Sequence, residues 1–203
     1  MIYKILKRLF DIFFSALFLI LLSPLLVIIA LLILIFSGRP VMFFQDRSGL
    51  RGKRFKLYKF RTLIVNAREF ETMGKVKKEL QTDIGKILRP IHLDELPQLW
   101  NILKGDMSFV GWRPRSDLKE FPFLKDYKPG LTGLMSVIYY LDEKRKQKIL
   151  RCDLASEDCE ELYHNGKINL FYAQHMSFWL DIRIIYWTFI LELENLLKLF
   201  KKQ

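Results

Sequence analysis

Two adjacent carboxylates, Asp94 and Glu95, stand at the start of a predicted amphipathic helix. Pro97 is compatible with the first turn of that helix, which we expect to end near Lys104-Gly105. A helix N-terminus attracts phosphate, and adjacent helical residues point about 100° apart. One carboxylate could therefore attack a phosphorus atom while its neighbour binds a metal that bridges phosphates. The alternative is a helix N-cap with an acidic first turn. The apolar face that predicts the helix consists of Leu93, Leu96, Leu99, Trp100 and Leu103.

Basic residues lie around this pair in the sequence, several of them beside proline or glycine. Arginine can neutralise a diphosphate through two parallel hydrogen bonds, and lysine supplies a compact positive charge. Taken singly, each has the simpler interpretation of a solvated surface charge. As a group they form a candidate phosphate-binding set, which consists of Lys59, Arg61, Arg89, Arg113 and Arg115.

An apolar segment near the N-terminus is the first element that must position these residues. It runs for 25 residues from Ile12 to Phe36, where the only polar or helix-breaking residues are Ser15, Ser23 and Pro24. About 20 apolar residues are enough to cross the hydrocarbon layer, so we predict a membrane segment. It is longer than the apolar core of a secretory signal and lacks a small-x-small cleavage site, so we expect it to be retained.

Pro24 bears on whether this segment spans the bilayer or re-enters it. A single spanning helix is the simplest interpretation of the length. Pro24 bends a helix, however, and Ser23 can satisfy a freed backbone group. Each half would be about 18 Å long, which is too short to cross. Both flanks are basic, which favours a re-entrant hairpin with both ends in the cytoplasm. The basic flanking residues are Lys4, Lys7, Arg8, Arg39, Arg47, Arg51, Lys53 and Arg54.

The C-terminal stretch from Ser177 to Lys202 is apolar and aromatic but is interrupted by charges. Its uninterrupted run from Ile184 to Leu191 is too short to span a bilayer. We therefore expect a helix that lies among the lipid headgroups, with an ordinary core helix as the alternative. The residues that favour the interfacial position are Phe178, Trp179, Tyr186, Trp187, Phe189, Lys198, Lys201 and Lys202.

The polar middle of the chain shows no repeat or linker and predicts a single globular unit. Val41 to Gln45 and Phe55 to Phe60 predict a short β-hairpin, because aromatic residues alternate around glycine turn signals. Asn66 to Leu80 has helical propensity. The frequent proline and glycine from Met107 to Gly133 favour loops, where binding residues often gather.

Charge and cysteine content narrow the class of partner. Lys and Arg total 33 against 22 Asp and Glu, and the net charge of +11 suits anionic lipids, nucleotides or nucleic acid. We expect no nucleic-acid partner, because no zinc spacing, RNP-like string or basic heptad helix is present. Cys152 and Cys159 do not make a disulfide framework, which favours a reduced, cytoplasmic setting. For His92 we expect a local contact rather than a metal, since no second histidine follows at helical spacing.

Short strings along the chain resemble the bacterial sugar transferases, also called small monotopic phosphoglycosyl transferases. They occur in order from the first residues to about Thr188, and so many separate matches make the signal specific. The strings are Lys7-Arg8-x-x-Asp11, Ser23-Pro24, Pro40-Val41, Gln45-x-Arg47-x-Gly49, Lys59-Phe60-Arg61-Thr62, Leu93-Asp94-Glu95-Leu96-Pro97-Gln98-Leu99-Trp100-Asn101, Lys104-Gly105-Asp106-Met107-Ser108, Val110-Gly111, Arg113-Pro114, Pro129-Gly130-x-Thr132-Gly133 and Ser177-Phe178-x-x-Asp181.

The resemblance implies an enzyme that moves a sugar-1-phosphate from a UDP-sugar to polyprenol (undecaprenyl) phosphate, the first membrane step of glycoconjugate assembly. Asp94 would be the nucleophile, forming an acyl-phosphosugar and releasing UMP, and Glu95 would bind Mg²⁺. Lys59 and Arg113 are the best candidates to hold phosphates. The loop expected to contact the nucleotide-sugar contains Pro129, Gly130, Thr132 and Gly133.

The predicted fold is α+β: a mostly helical, membrane-associated domain with a re-entrant helix broken at Ser23-Pro24, a short β-hairpin and interfacial amphipathic helices. Residues 1–38 would form the re-entrant helix and residues 39–203 the catalytic domain with its interfacial C-terminal helix, as one functional unit. The expected location is the inner (cytoplasmic) membrane, with the catalytic domain on the cytoplasmic face in contact with membrane lipids. A homodimer is left open.

Three positions depart from the family pattern. Trp112 stands where a proline usually precedes Arg-Pro, Leu134-Met135-Ser136 replaces a small residue and glutamine, and Asn169 replaces an aspartate. We expect these positions to touch sugar or nucleotide, so the sequence leaves the sugar open. The competing hypothesis is a non-enzymatic membrane-anchored scaffold for glycan assembly, in which charge would matter and Asp94 would not.

Overall fold

A computed structural model describes residues 2–65, 80–119, 121–141 and 166–200, the last three by their backbone alone. These ranges contain seven α-helices and two two-stranded sheets, which confirms the α+β class. The helices are α1 (Ile2–Leu21), α2 (Ser23–Ser37), α3 (Asp83–Leu88), α4 (Gln98–Lys104), α5 (Leu134–Tyr140), α6 (Lys167–His175) and α7 (Phe178–Phe200). The strands are β1 (Met42–Ser48), β2 (Arg54–Phe60), β3 (Ser108–Val110) and β4 (Gly130–Thr132). Most of the helix predicted from Asn66 to Leu80 lies outside the described residues. The same is true of Cys152, Cys159, Lys201 and Lys202, and of the side chain of Lys198.

The apolar N-terminal segment forms two helices that meet at an angle of 59°. Pro24 lies in the first turn of α2, where its missing N–H interrupts the backbone bonding, and the Ser23 hydroxyl donates to the Ile20 carbonyl at 2.7 Å. The predicted break at Ser23-Pro24 is therefore confirmed. No single helix in the described ranges is long and apolar enough to cross a membrane, whereas the bent pair passes that test as a broken span or a re-entrant loop.

Polar side chains of α1 bind it to the rest of the protein. The Arg8 guanidinium donates to the carbonyls of Ile102 and Leu103 at 2.7 and 2.8 Å, which satisfies the C-terminal end of α4. The buried carboxylate of Asp11 accepts from the Ser108 hydroxyl and the Phe109 backbone N–H, so it fixes α1 to β3. These contacts hold α1 against the elements that carry the site described below.

The predicted hairpin is confirmed, and its first strand extends further than expected, to Ser48. β1 and β2 pair antiparallel, with Met42 opposite Phe60 and Ser48 opposite Arg54. Strand alternation buries Phe55 and Leu57 in a cluster with residues of α4 and Met107. A fully buried asparagine joins α4 to the hairpin: Asn101 Nδ2 donates to the Lys56 carbonyl, and Asn101 Oδ1 accepts from the Tyr58 N–H. These two hydrogen bonds fix β2 against α4, and so they fix the position of Lys59, which follows Tyr58 on β2.

The sequence predicted loops from Met107 to Gly133. This prediction was only partly correct, because the region contains two short parallel strands. β3 and β4 pair with Ser108 opposite Gly130 and Val110 opposite Thr132. Two glycines permit this approach, since a Cβ built on Gly130 would lie 2.1 Å from the Gly111 nitrogen. The pairing brings two segments that are distant in the sequence side by side.

The C-terminal helix α7 has one buried face and one exposed aromatic face. Leu180, Ile184 and Leu191 are buried in a core cluster with residues of α5 and α6. Trp179 and Phe189 on the same helix are 72% and 65% exposed. One face of α7 is therefore core, and the other presents the aromatic residues expected of an interfacial helix.

Candidate functional site

Asp94 and Glu95 lie in a 3₁₀ turn, Leu93–Glu95, immediately before α4. The predicted end of the helix is confirmed, because α4 ends at Lys104 and Gly105 has φ +93°. The predicted start was wrong, since the pair precedes the helix instead of occupying its first turn. His92 has left-handed backbone angles, and Pro97, the N-cap residue of α4, has no N–H to donate. The pair is thus held by backbone geometry on both sides.

The two carboxylates differ in environment. Burial raises the pKa of Asp94, and the neighbouring negative charge of Glu95 raises it further, against the opposing charges of Lys59, Arg89 and His92. For Glu95, burial would raise the pKa, but Lys59 and Arg113 outweigh burial, and its pKa lies below the ordinary value. Both carboxylates are therefore desolvated by burial, and Glu95 is the more stably ionised member because Lys59 and Arg113 compensate for its burial. A desolvated carboxylate beside positive charges has the character required of a nucleophile.

An open cleft lies beside Glu95, and the neighbouring Asp94 is not among the residues that line it. Lys59 Nζ is 2.7 Å from Glu95 Oε1, and Arg113 Nη2 is 4.0 Å from the same oxygen. This arrangement of several cations around one ionised carboxylate suits an anionic ligand that brings a metal ion. The cleft is lined by Arg47, Leu57, Lys59, Glu95, Gln98, Arg113, Pro114, Gly130, Leu131, Thr132 and Ser136.

The structure divides the five predicted phosphate-binding residues into two groups. Lys59 and Arg113 line the cleft, and Arg89 lies close enough to Asp94 to lower its pKa. Arg89 is not among the residues that line the cleft, and its Nη1 is buried with no hydrogen-bond partner among the described residues. Arg61 and Arg115 are not among the residues that line the cleft. Arg115 stacks over the Phe121 ring at 4.5 Å, a contact that fixes its position elsewhere.

Arg61 holds the end of the N-terminal helix pair. Its buried guanidinium donates to the carbonyls of Ser37, Gly38 and Pro40, which follow or end α2. The unsatisfied carbonyls at a helix C-terminus favour such a cation. The structure therefore gives Arg61 backbone partners that the sequence did not predict, and its contacts indicate a structural role.

We expect Arg61→Met to destabilise the protein by about 2–4 kcal/mol, because three carbonyls lose a charged donor in a buried place. The midpoint of thermal unfolding of the detergent-solubilised protein would measure this loss. Arg39→Met, which changes an exposed arginine in the same connection, should leave the midpoint near that of the wild type. A native midpoint for Arg61→Met together with weakened nucleotide binding would instead restore the phosphate-binding assignment.

Of the four residues predicted to contact the nucleotide-sugar, two line the cleft and two hold the backbone nearby. Gly130 and Thr132 line the cleft, and the Thr132 and Thr188 hydroxyls share a hydrogen bond of 2.7 Å. Pro129 accepts from the Ser108 N–H and Gly133 from the Val137 N–H, so these two hold the backbone. Among the lining residues, sequence reasoning gave no role to Gln98 and no ligand role to Arg47. Their membership of the matched strings was the available signal.

His92 makes a long-range contact in place of the expected local one. Its Nδ1 lies 2.8 Å from Oε1 of Glu192 on α7, with both side chains partly exposed. The Glu192 carboxylate facing His92 Nδ1 raises the pKa of His92, against the effect of burial, and the charges of Glu95 and Asp94 raise it further. The pair connects the turn that carries the two carboxylates to the C-terminal helix.

This ion pair predicts a pH-dependent part of the stability. The folded state holds the His92 proton more tightly, so the stabilisation is complete below the ordinary pKa of about 6.5 and is lost as the pH rises through the higher folded pKa. Because the pair is partly exposed, we expect less than about 1 kcal/mol, or up to about 3 °C in Tm. Between pH 6 and 8 the Tm of Glu192→Gln should fall less than that of the wild type. Glu194→Gln, on the same helix, serves as the control, and equal slopes for wild type and Glu192→Gln would contradict the prediction.

The carboxylates also form a donor set that fits magnesium. Mg²⁺ is usually held by one or two carboxylates together with water and substrate phosphates. No group of three or more His, Cys, Asp or Glu side chains able to hold a metal occurs within the described part of the chain. Both ion pairs of Glu95 use the same oxygen, Oε1. The residues present therefore fit a metal ion that is shared with a phosphate ligand.

Comparison with known proteins gives matches over nearly the whole chain. The sequence model of the family described as bacterial sugar transferase matches residues 2–195. A UDP-glucose:undecaprenyl-phosphate glucose-1-phosphate transferase from Klebsiella pneumoniae is 36% identical over 90% of this chain and 39% of its own length. A UDP-N-acetylgalactosamine-undecaprenyl-phosphate N-acetylgalactosaminephosphotransferase from Aeromonas hydrophila is 31% identical over 92% of this chain and 43% of its own length.

A relative of similar size is also found. The exopolysaccharide production protein PSS of Rhizobium leguminosarum bv. phaseoli is 34% identical over 93% of this chain and 96% of its own length. The chain thus spans about two fifths of the two longer relatives and nearly all of this shorter one.

Proposed function

This chain belongs to the bacterial sugar transferase family, and we propose that it transfers a sugar-1-phosphate from a UDP-sugar to polyprenol (undecaprenyl) phosphate. The observation that carries the proposal is the buried Asp94 beside the ionised Glu95, at a cleft where Lys59 and Arg113 converge. The names of the relatives support the class of donor and acceptor.

In the first step, an Asp94 carboxylate oxygen attacks the phosphorus that bears the sugar. A new bond forms between this oxygen and the phosphorus, the bond to the UMP oxygen breaks, and UMP leaves with that electron pair. Lys59 and Arg113 neutralise negative charge on the diphosphate during the displacement. Burial of Asp94 supports this role, because a carboxylate with little hydration loses little solvation when it attacks.

In the second step, a phosphate oxygen of the polyprenol phosphate attacks the same phosphorus. The acyl–phosphate bond breaks, Asp94 regains its carboxylate, and the product is a polyprenol diphosphosugar. Two displacements through one nucleophile allow two anionic substrates to use the same cationic cleft in turn. Glu95 would hold Mg²⁺, which when bound supplies charge neutralisation at the phosphates.

The contacts at both ends of the helix pair support a re-entrant topology. Near the start of α1, the Tyr3 hydroxyl donates to Asp181 on α7 at 2.7 Å, and at the end of α2 the Ser37 carbonyl accepts from Arg61. Both ends therefore contact one globular body, as a hairpin that enters and leaves the same face requires. Together with the basic flanks, these contacts support our proposal that the catalytic domain lies on the cytoplasmic face of the inner membrane. A label on the exposed Lys4 should react only from that face, and reaction from the periplasmic side would exclude this topology.

The reaction can be tested by UMP release from nanodisc-held protein. The assay contains polyprenol phosphate, Mg²⁺ and a panel of UDP-sugars that includes the glucose and N-acetylgalactosamine named for the relatives. Release that depends on the acceptor, with one donor preferred, is the expected result. No release from folded protein across the panel would overturn the proposal and favour a scaffold function.

A further inference from the structure

Gln98 is a buried polar residue of the cleft to which the proposed reaction gives no role and whose amide nitrogen has no partner among the described residues. It is the first residue of α4 and lies three positions after Glu95, so both side chains are on neighbouring parts of the chain that face the cleft. Gln98 is only 2% exposed, and its Nε2 has no hydrogen-bond partner among the described residues. A buried amide donor without an acceptor is costly, and most such groups in proteins are paired.

The cleft around Gln98 is rich in cationic hydrogen-bond donors. The polar neighbours in the cleft are mainly donors, such as Lys59 and Arg113, and the nearby carboxylate oxygen Glu95 Oε1 is already paired with both of them. Thr132 is engaged with Thr188. A residue that lines such a cleft and has a buried amide donor without an acceptor among the described residues is suited to a ligand that brings only acceptors.

We propose that the Gln98 amide donates a hydrogen bond to a phosphate oxygen of the substrate, making Gln98 a substrate-binding residue. This inference rests on the proposed function, which supplies the phosphate. Phosphate oxygens are acceptors without protons to donate, and an amide adds a directional bond to the charge that Lys59 and Arg113 supply. The same chemistry could come from the nucleotide-sugar diphosphate or from the polyprenol phosphate.

Stability distinguishes a ligand-directed amide from one that serves the fold. A structural glutamine loses bonds when it is replaced, so the protein becomes less stable. For Gln98→Met we expect an unchanged or higher Tm, because the variant removes an unpaired buried donor with little change in volume. Gln174→Met, which alters an exposed glutamine on α6, is the matched control for the substitution itself.

Binding provides the second measurement and does not depend on turnover. We expect Gln98→Met to weaken UDP binding about 10-fold, since a hydrogen bond to a charged group is lost, and to leave uridine binding unchanged. Weakened UDP binding with native Tm supports a contact with the nucleotide diphosphate. Native UDP binding with a KM for polyprenol phosphate raised about 10-fold supports a contact with the acceptor phosphate instead.

Two results would overturn the inference. One is a Gln98→Met protein with a lower Tm and native ligand binding, which would make Gln98 structural. The other is an equal loss of affinity for uridine and UDP, which would move the contact away from phosphate. Failure of the wild-type protein to bind any UDP-sugar would instead count against the proposed function itself, so the two failures are distinguishable.

Discussion

Asp94→Asn should reduce UMP release by at least about 10³-fold, because the amide cannot form the acyl-phosphate bond on which both steps depend. Asparagine has almost the same shape, so the cleft should remain intact. Intact-protein mass spectrometry adds an independent measurement: wild-type protein given a UDP-sugar without acceptor should gain the mass of one phosphosugar, and the variant should gain none.

The same substitution should leave the protein as stable as the wild type or more so. The pKa of Asp94 is raised in the folded state, chiefly by burial, so at neutral pH its ionisation opposes folding. The neutral amide removes that cost. Asp83→Asn, which changes an exposed aspartate on α3, is the control and should keep native activity. Retention of more than a tenth of the activity by Asp94→Asn would exclude Asp94 as the nucleophile.

Glu95→Gln should lower UMP release by about 10²–10⁴-fold and raise the Mg²⁺ concentration needed for half-maximal activity. The amide is a poor magnesium ligand, and Lys59 loses its partner at 2.7 Å. A titration of Mg²⁺ against initial rate separates the two effects, because high Mg²⁺ should recover part of the activity. An unchanged Mg²⁺ dependence would show that Glu95 does not bind the metal.

Glu95→Gln should change the stability of the protein in the opposite direction from Asp94→Asn. The pKa of Glu95 is lowered in the folded state, so its ionisation stabilises the protein above the ordinary carboxyl pKa, and this is lost as the pH falls through the lower folded pKa. Glu95→Gln should therefore have a lower Tm than the wild type at neutral pH. Two adjacent carboxylates that respond oppositely would be strong support for a division of roles.

Local sequence features predicted the elements that depend on local backbone chemistry. Pro24 predicted the bend between α1 and α2 because its ring and missing N–H act wherever the residue is placed. Gly105 likewise predicted the end of α4, where the backbone has a positive φ. The same reasoning placed the start of α4 too early, because the left-handed conformation of His92 has no strong signal in the sequence.

The membership of the family and the carboxylate pair were thus determined by the sequence itself, because short strings carry both. Only the tertiary structure decided which basic residues face the pair. Lys59 and Arg61 stand two positions apart, yet Lys59 contacts Glu95 and Arg61 binds the backbone after α2. The physical reason is that the type of a side chain determines which bonds it can make. Which partner it meets depends on how elements from distant parts of the chain pack together.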